Sequence, residues 1–597
     1  MPTYRVPTKD MSYILNDVLN ISQYGDLPGY SDATPDLISA VLEEAAKFAE
    51  NELQPLNQVG DAEGCTLMPD GTVTTPTGFK AAYAKFVEGG WAGLTGDPEY
   101  GGQGLPHVLG ICFEEILNGA NQGFSLYHGL STGAMAAINI DGSTEQKDLY
   151  LPPMMEGRWT GTMNLTESHC GTDLGLLRTK AEPQADGSYT ITGQKIFISA
   201  GDHDLAENII HLVLARMPDS PAGVKGISLF IVPKINVDAD GSLGDSNAVS
   251  CGALEEKMGL HGNSTCVMNY DGAKGYLIGE ENKGLRSMFI MMNAARIGVG
   301  VQGLSQSEVS YQNAVEYAKD RLQGRSLSGP KNPDGPADPI IVHADVRRML
   351  LNSRTFNESA RLLGCWAGLL VDQNRNAPDE ATREFAGDIV GLMTPIVKGV
   401  FTDRAYDNAT NAQQVFGGHG YIKESGMEQF VRDARISMIY EGTNGIQAMD
   451  LVGRKLPAKG GRAIQAYFKM LTELVEEHKD NEAIADLIAP FEKGLARLQA
   501  ATMWLMQNAM SNPDHAGAGA TAYMHLMGHV ALGHMWIWYA ASSAKALSEG
   551  TSDPKFHENK MLMAQYYMKR MMPETGTLLK QIEAGADEVM AMAASDF

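Results

Sequence analysis

The 597-residue chain carries 47 basic against 72 acidic residues, a formal charge of −25 that repels nucleic acid and anionic membrane surfaces. Its length exceeds what one hydrophobic core organises, and 44% hydrophobic residues supply ample burial, so several packed units are expected. Six cysteines, at 65, 112, 170, 251, 266 and 365, form no C-x-x-C pair, which predicts reduced thiols in a cytoplasmic protein rather than a disulfide frame or zinc site. The opening MPTYRVPTKDMSYIL has no basic-then-apolar leader and no run reads as membrane-spanning, so no membrane span is expected.

After an N-terminal extension over 1–35, Leu37, Val41, Ala45 and Phe48 recur at helical spacing. Gly/Pro-rich breaks such as GDPEYGGQGLPH punctuate this helical unit, assigned to 36–158. The period then shortens. SYTITGQKIFIS, NIIHLVLARM, KGISLFIVPKI and STCVMNYDGAKGYLIG are β-rich runs bounded by Gly, Asp or Pro, and predict a β-domain over 159–282. Long helical patterns resume over 283–456, interrupted by the Gly/Pro/Asp-rich SLSGPKNPDGPADP at 326–339, which reads as an exposed loop. A Pro-Ala-Lys-Gly-Gly break at 457–461 opens a C-terminal helical extension over 457–597, where Ile464, Phe468, Leu471 and Val475 make one apolar stripe.

Three short patterns invite other functions. GLSTG at 129–133 fits the nucleophile elbow of a serine hydrolase with Ser131 as nucleophile, but no buried strand precedes it. GVGVQG at 298–303 fits a dinucleotide fingerprint, yet it lies inside a helical pattern with no βαβ unit around it. HLMGH places His525 and His529 one turn apart without the glutamate of a zinc helix, which predicts surface or capping histidines.

The informative segments are longer. GWAGLTGDPEYGGQGLP at 90–106, GSTEQKDLYLPPMMEGRWTGTMNLTESHCGTDLG at 142–175, GQKIFISAGDHD at 193–204, QQVFGGHGY at 413–421 and VRDARISMIYEGTNGIQ at 431–447 resemble, in order and spacing, the acyl-CoA dehydrogenase family. The resemblance spans roughly 36–455 and implies an α+β fold: an N-terminal helical domain, a central β-barrel-like domain and a C-terminal four-helix bundle, here with an extra C-terminal helical domain. The opening segment and the extension resemble a bacterial subgroup that includes enzymes of dimethylsulfoniopropionate breakdown. That subgroup implies the thioether substrate 3-methylmercaptopropionyl-CoA, with short- to medium-chain fatty acyl-CoA as the alternative.

Oxidising an acyl thioester between Cα and Cβ needs a base for the α-proton, a cradle for the carbonyl and a hydride acceptor. The resemblance makes FAD that acceptor and Glu441, in IYEGTNG, the base; a buried acyl chain would expel water and strengthen it. The earlier helix where some relatives carry the base reads MNAARIG, with Ala295 and no glutamate; Arg296 is assigned electrostatic support. Met163, Leu165 and Thr166 are implied along the flavin ring, with Gly171 and Thr172 near its phosphates. Ser168, Cys170 and Thr172 stand where the family pattern has Pro, Ala and Ser. Phe197, Ile198 and Ser199 match the segment beside the flavin, Ser199 as a hydroxyl donor toward N5. Arg321 and Gln323 are implied to reach the ADP half of FAD in a neighbouring subunit, with Gln414, Gly417 and Gly418 as the opposing contact and Thr443 near the adenine side. Gly445 replaces a glutamine common at that point. The resemblance further implies an electron-transfer flavoprotein as acceptor, and a homodimer whose extension covers the face that shorter members use to form tetramers. The rival classes are the serine hydrolase on Ser131 and a flavin-binding member without dehydrogenase activity.

Overall fold

The computed structural model describes residues 2–597. Four principal helices come first: α1 (Pro35–Phe48), α2 (Phe79–Glu88), α3 (His107–Asp141) and α4 (Thr144–Met155). Seven strands of one sheet follow: β1 (Trp159–Asn164), β2 (Lys180–Pro183), β3 (Tyr189–Ser199), β4 (Asn208–Ala215), β5 (Ser228–Pro233), β6 (Val249–Leu254) and β7 (Thr265–Ile278). Helices resume with α5 (Gly284–Asp320), α6 (Ala344–Asn376), α7 (Glu380–Phe416), α8 (Met427–Ile436) and α9 (Asn444–Asp450). The extension adds α10 (Arg462–His478), α11 (Ala485–Asn508), α12 (Pro513–Glu549), α13 (Pro554–Tyr566) and shorter helices.

The chain divides into two compact units, one over 44–105 and 116–298, the other over 1–43, 106–115 and 299–597. Most of the helical segment thus shares a unit with the β segment, while residues 1–43 and 106–115 and the extension join the bundle.

In the first unit the sheet runs β1-β4-β5-β7-β3-β2, with β6 added on β7. β1 and β4 are parallel and the other pairs antiparallel. The sheet curls until Ala181 N donates to Arg216 O at 2.8 Å, joining β2 to the end of β4, as the barrel-like expectation requires. β4 and β5 are buried at every position because both faces are covered: Ile210, Leu212 and Ile231 meet helical residues such as Ile138 and Met291, while Val213, Phe230 and Val232 fill the interior. α3 breaks at Asn121 (φ −161°, ψ 93°), whose side-chain oxygen accepts from Phe124 N at 3.0 Å and so recaps the second half of the helix.

In the second unit α6 and α7 form an antiparallel pair, with the C-terminal half of α5, α8, α9 and α12 packed on it. Gly300 and Gly303 press α5 onto the backbone of Val397 and Phe401, so the fingerprint-like glycines serve helix contact. α12 starts with Asn512 accepting from Asp514 N, Pro513 at N1, and ends at Gly550 (φ 82°), the asymmetry that isolates a long helix cleanly. Its Tyr523, Met527, Val530, Trp536 and Tyr539 are buried.

The two ends of the chain are tied into this unit. Asn313 exchanges hydrogen bonds with the Thr3 backbone (2.9 and 2.8 Å), and Gln312 does the same with Arg5, so two amide side chains imitate a strand partner. Asp10 of the N-terminal extension and Lys560 of α13 meet in a buried cluster with Arg361, Glu115, Glu308 and Glu358.

One expectation changes and another gains detail. α7 with its continuation to residue 421 is long and apolar enough to cross a membrane, though no run was expected to be; 72% of its apolar stretch is buried in protein, and Thr402, Asp403 and Arg404 follow that stretch. The 326–339 segment is a largely exposed loop, as expected, with one buried residue at its centre. It wraps the buried Asp338 carboxylate, which accepts from the backbone N–H of Ser326, Lys331 and Asn332; those bonds and Arg325 hold its pKa at about 2.

Candidate active site

In the β-containing unit the expected flavin residues gather on β1, the loop after it, and the end of β3. The loop is a tight hairpin: Glu167 N donates to Cys170 O at 2.9 Å and Cys170 N to Glu167 O at 3.0 Å. Glu167 is its keystone, accepting from Arg178 N, Thr179 N, Thr179 Oγ1 and the fully buried Lys195 Nζ at 2.6–3.0 Å. Burial alone would raise the Glu167 pKa, but the Lys195 charge and these donors hold it at about 2. Ser168 and Cys170 therefore fit the loop without the family's proline and alanine. His169, Cys170 and Glu167 lie close enough to hold a metal ion, but Lys195 already occupies the carboxylate.

β3 ends in a bulge: Ile198 faces Cys266 while Lys195 faces Met268, so Ile196 and Phe197 oppose one residue of β7. Phe197 sits there in the left-handed region (φ 59°), which for a bulky residue marks backbone strain, and the residue is 60% exposed. Ile198 is buried and Ser199 half-buried. Leu165 is buried, Met163 and Thr166 are half-buried, and Gly171 and Thr172 are exposed at the hairpin. A Cβ at Gly171 would meet nothing nearer than 3.9 Å. An uncovered aromatic ring beside hydroxyls and an open glycine turn fits a flat aromatic cofactor with phosphates. Arg296, on α5, is buried, its guanidinium 5.9 Å from the Phe289 ring.

The bundle unit holds the rest. Arg321, at the end of α5, is exposed, and Gln323 is exposed while its backbone bonds Asp338 O and His343 Nε2. Gln414, Gly417 (φ 59°) and Gly418 are exposed at the end of α7; a Cβ on either glycine would meet open space. Phe416 stacks on Tyr317 at 4.1 Å and Tyr317 bonds His419 at 2.8 Å, which steadies that turn.

Glu441 lies between α8 and α9 in the left-handed region (φ 56°), followed by Gly442 (φ 83°). Three devices hold this strained turn. Gln447 Nε2 donates to the Glu441 carbonyl at 3.1 Å, Tyr440 donates to Gln302, and Thr443 caps α9 by accepting from Ile446 N. Asn444 is buried: its Oδ1 accepts from Lys398 Nζ at 2.7 Å and its Nδ2 donates to Thr402 Oγ1 and Asp403 Oδ1 at 2.9 and 2.6 Å. Sequence reasoning missed Gln447, Asn444, Lys398 and Asp403. The only signal available was a polar pair just after the base motif.

The rival motifs resolve structurally. Ser131 is buried in α3, donating to Tyr127 O at 2.8 Å and accepting from Gly161 N at 2.9 Å, with no histidine partner among the described residues. His529 is not a surface histidine; it is buried between Arg404, Glu574 and Tyr567, and His525 bonds Asp403 at 2.9 Å.

Comparison with known proteins identifies the family and the fold. Residues 36–158, 162–273 and 282–456 match the acyl-CoA dehydrogenase N-terminal, middle and C-terminal domains, and 467–593 matches the acetyl-CoA dehydrogenase C-terminal-like domain. The chain is 41% identical to 3-methylmercaptopropionyl-CoA dehydrogenase of Ruegeria pomeroyi over 98% of its length and 99% of the relative's. It is 33% identical to a butyryl-CoA dehydrogenase of Syntrophomonas wolfei over 97% and 95%. The structure of Caenorhabditis elegans ACDH-11 in complex with C11-CoA shares the fold at a TM-score of 0.78, with 19% identity over 99% of this chain and 96% of that one. The chain belongs to the acyl-CoA dehydrogenase family, FAD-dependent oxidoreductases acting on the CH–CH bond of acyl-CoA thioesters.

Proposed function

We propose that the enzyme dehydrogenates 3-methylmercaptopropionyl-CoA to the corresponding trans-2-enoyl thioester, with Glu441 as base. The observation that carries the substrate assignment is end-to-end similarity, extension included, to the Ruegeria enzyme of that name. The Glu441 carboxylate takes the α-proton, and the left-handed turn fixes where that carboxylate projects. FAD, when bound, supplies the acceptor for the β-hydride. Met163, Leu165, Thr166, Phe197, Ile198 and Ser199 hold its ring, Gly171 and Thr172 its phosphates, and Arg296 favours negative charge developing on the thioester. Arg321, Gln323, Gln414, Gly417, Gly418 and Thr443 hold the ADP half across a homodimer. An electron-transfer flavoprotein takes the electrons onward, and the six free cysteines support a cytoplasmic setting.

A kcat/KM series over 3-methylmercaptopropionyl-CoA and saturated C4 to C8 acyl-CoAs tests the substrate. The thioether is expected to lead. A clear maximum on butyryl-CoA would instead favour the alternative, which the similarity to a butyryl-CoA dehydrogenase supports.

A further inference from the structure

We propose that His525, on the extension helix α12, is a positioning residue for the Glu441 turn, acting through Asp403 and Asn444. The inference rests on reading Glu441 as the base. His525 Nε2 bonds Asp403 Oδ2 at 2.9 Å, and Asn444 Nδ2 donates to the other oxygen, Asp403 Oδ1, at 2.6 Å. One carboxylate thus joins the extension to the third residue after Glu441. Asn444 is also where the turn is fixed: its backbone N donates to Met438 O at 3.1 Å, closing the loop that contains Glu441, and its carboxamide binds Lys398 and Thr402. His525 and Asp403 are mostly shielded, with side chains 18% and 20% exposed. Beside them Met524 fills the space where a Cβ on Gly399 would lie, so α12 and α7 are in close contact at this point.

The physical consequence follows from the carboxylate's two partners. With His525 present, both Asp403 oxygens have directed donors, and Asp403 adds its short bond to the hold that Lys398, Thr402 and the Gly399 carbonyl have on the Asn444 amide. Without it, Oδ2 loses this partner, and Asp403 can swing away from Asn444. The strained φ at Glu441 then loses part of what holds it, and the carboxylate spreads over positions away from the α-carbon.

The test uses the FAD-loaded enzyme, anaerobic flavin bleaching by acyl-CoA, and the variants His525→Leu, His525→Gln and Asp403→Asn beside Glu441→Gln. His525→Leu is expected to lower the limiting bleaching rate about tenfold, with the substrate dissociation constant and the melting temperature nearly unchanged, since sub-ångström misplacement acts on the chemical step. Gln, whose Nε2–H can reach the same oxygen, is expected to restore most of the rate, and Asp403→Asn to reproduce the loss. A rate within twofold of wild type in His525→Leu, or a loss that Gln does not rescue, overturns the proposal; if His525→Leu does not fold, an unaffected rate in Asp403→Asn does so. Bleaching that persists in Glu441→Gln overturns the base assignment instead, which keeps the two failures distinct.

Discussion

The side-chain amide of Gln447 donates to the backbone carbonyl of Glu441, the residue that the chain holds in a left-handed turn. The carboxylate's direction is set from behind, by a side chain six positions later on α9. Gln447→Leu removes that donor while keeping bulk in a fully buried site. The expected outcome is a fall in kcat of roughly tenfold with flavin retained, as loss of a positioning bond acts on the reacting geometry. Rapid-reaction absorbance of the FAD-loaded variant checks it.

Arg361 is buried and paired with Asp10, Glu115 and Glu308 at 2.6, 2.7 and 3.1 Å. Removing it leaves Glu115 and Glu308 facing each other in the core, with only Asp10 still paired, to Lys560. Arg361→Ala is expected to cost about 3–5 kcal/mol, because the loss is that of an uncompensated buried charge cluster and not of one contact. Denaturant unfolding measures it, and a cost below about 1 kcal/mol would show that the cluster carries no such role.

Glu167 has a folded pKa of about 2 against an ordinary 4.5, so its contribution to stability is fully present above about 4.5 and fades as pH falls through about 2. Glu167→Gln leaves the buried Lys195 without its carboxylate. The gap in unfolding midpoint between wild type and this variant is expected to be largest near neutrality and to shrink on acidification. A gap that stayed constant from pH 7 to pH 3 would contradict the ion-pair reading.

Arg321 projects from the end of α5 with its side chain exposed. If it holds FAD across a dimer, Arg321→Ala is expected to weaken cofactor retention and dimer stability together, and Lys to rescue only in part, lacking the planar fork. Flavin-to-protein ratio and light scattering on dilution check this. Full flavin in an unchanged dimer would remove Arg321 from the site.

How much of this was legible follows the range of the interactions. The α, β, α order came from periodicity, since burial on one face writes itself every two or 3.6 residues. The loop at Glu441 and the Gly417–Gly418 turn were legible because their motifs are local. Phe197 in a left-handed bulge was not, because its neighbours in sequence carry no glycine signal and the bulge is set by the β7 register. The ties of Asp403, Lys398 and His525 to this turn were not legible for the same reason: the three lie 38, 43 and 84 positions from Glu441 in the chain and meet its turn only after α7, α9 and α12 pack. His529 was misread as exposed because two histidines one turn apart look alike whether water or Arg404 and Glu574 face them.

The most direct measurement is anaerobic mixing of FAD-loaded Glu441→Gln with 3-methylmercaptopropionyl-CoA, followed by flavin absorbance. The substitution keeps size and turn but cannot take a proton at this position. FAD is expected to remain bound, and bleaching to slow by about 10²–10⁴, the span a positioned general base supplies. Bleaching at the wild-type rate would contradict Glu441 as the base.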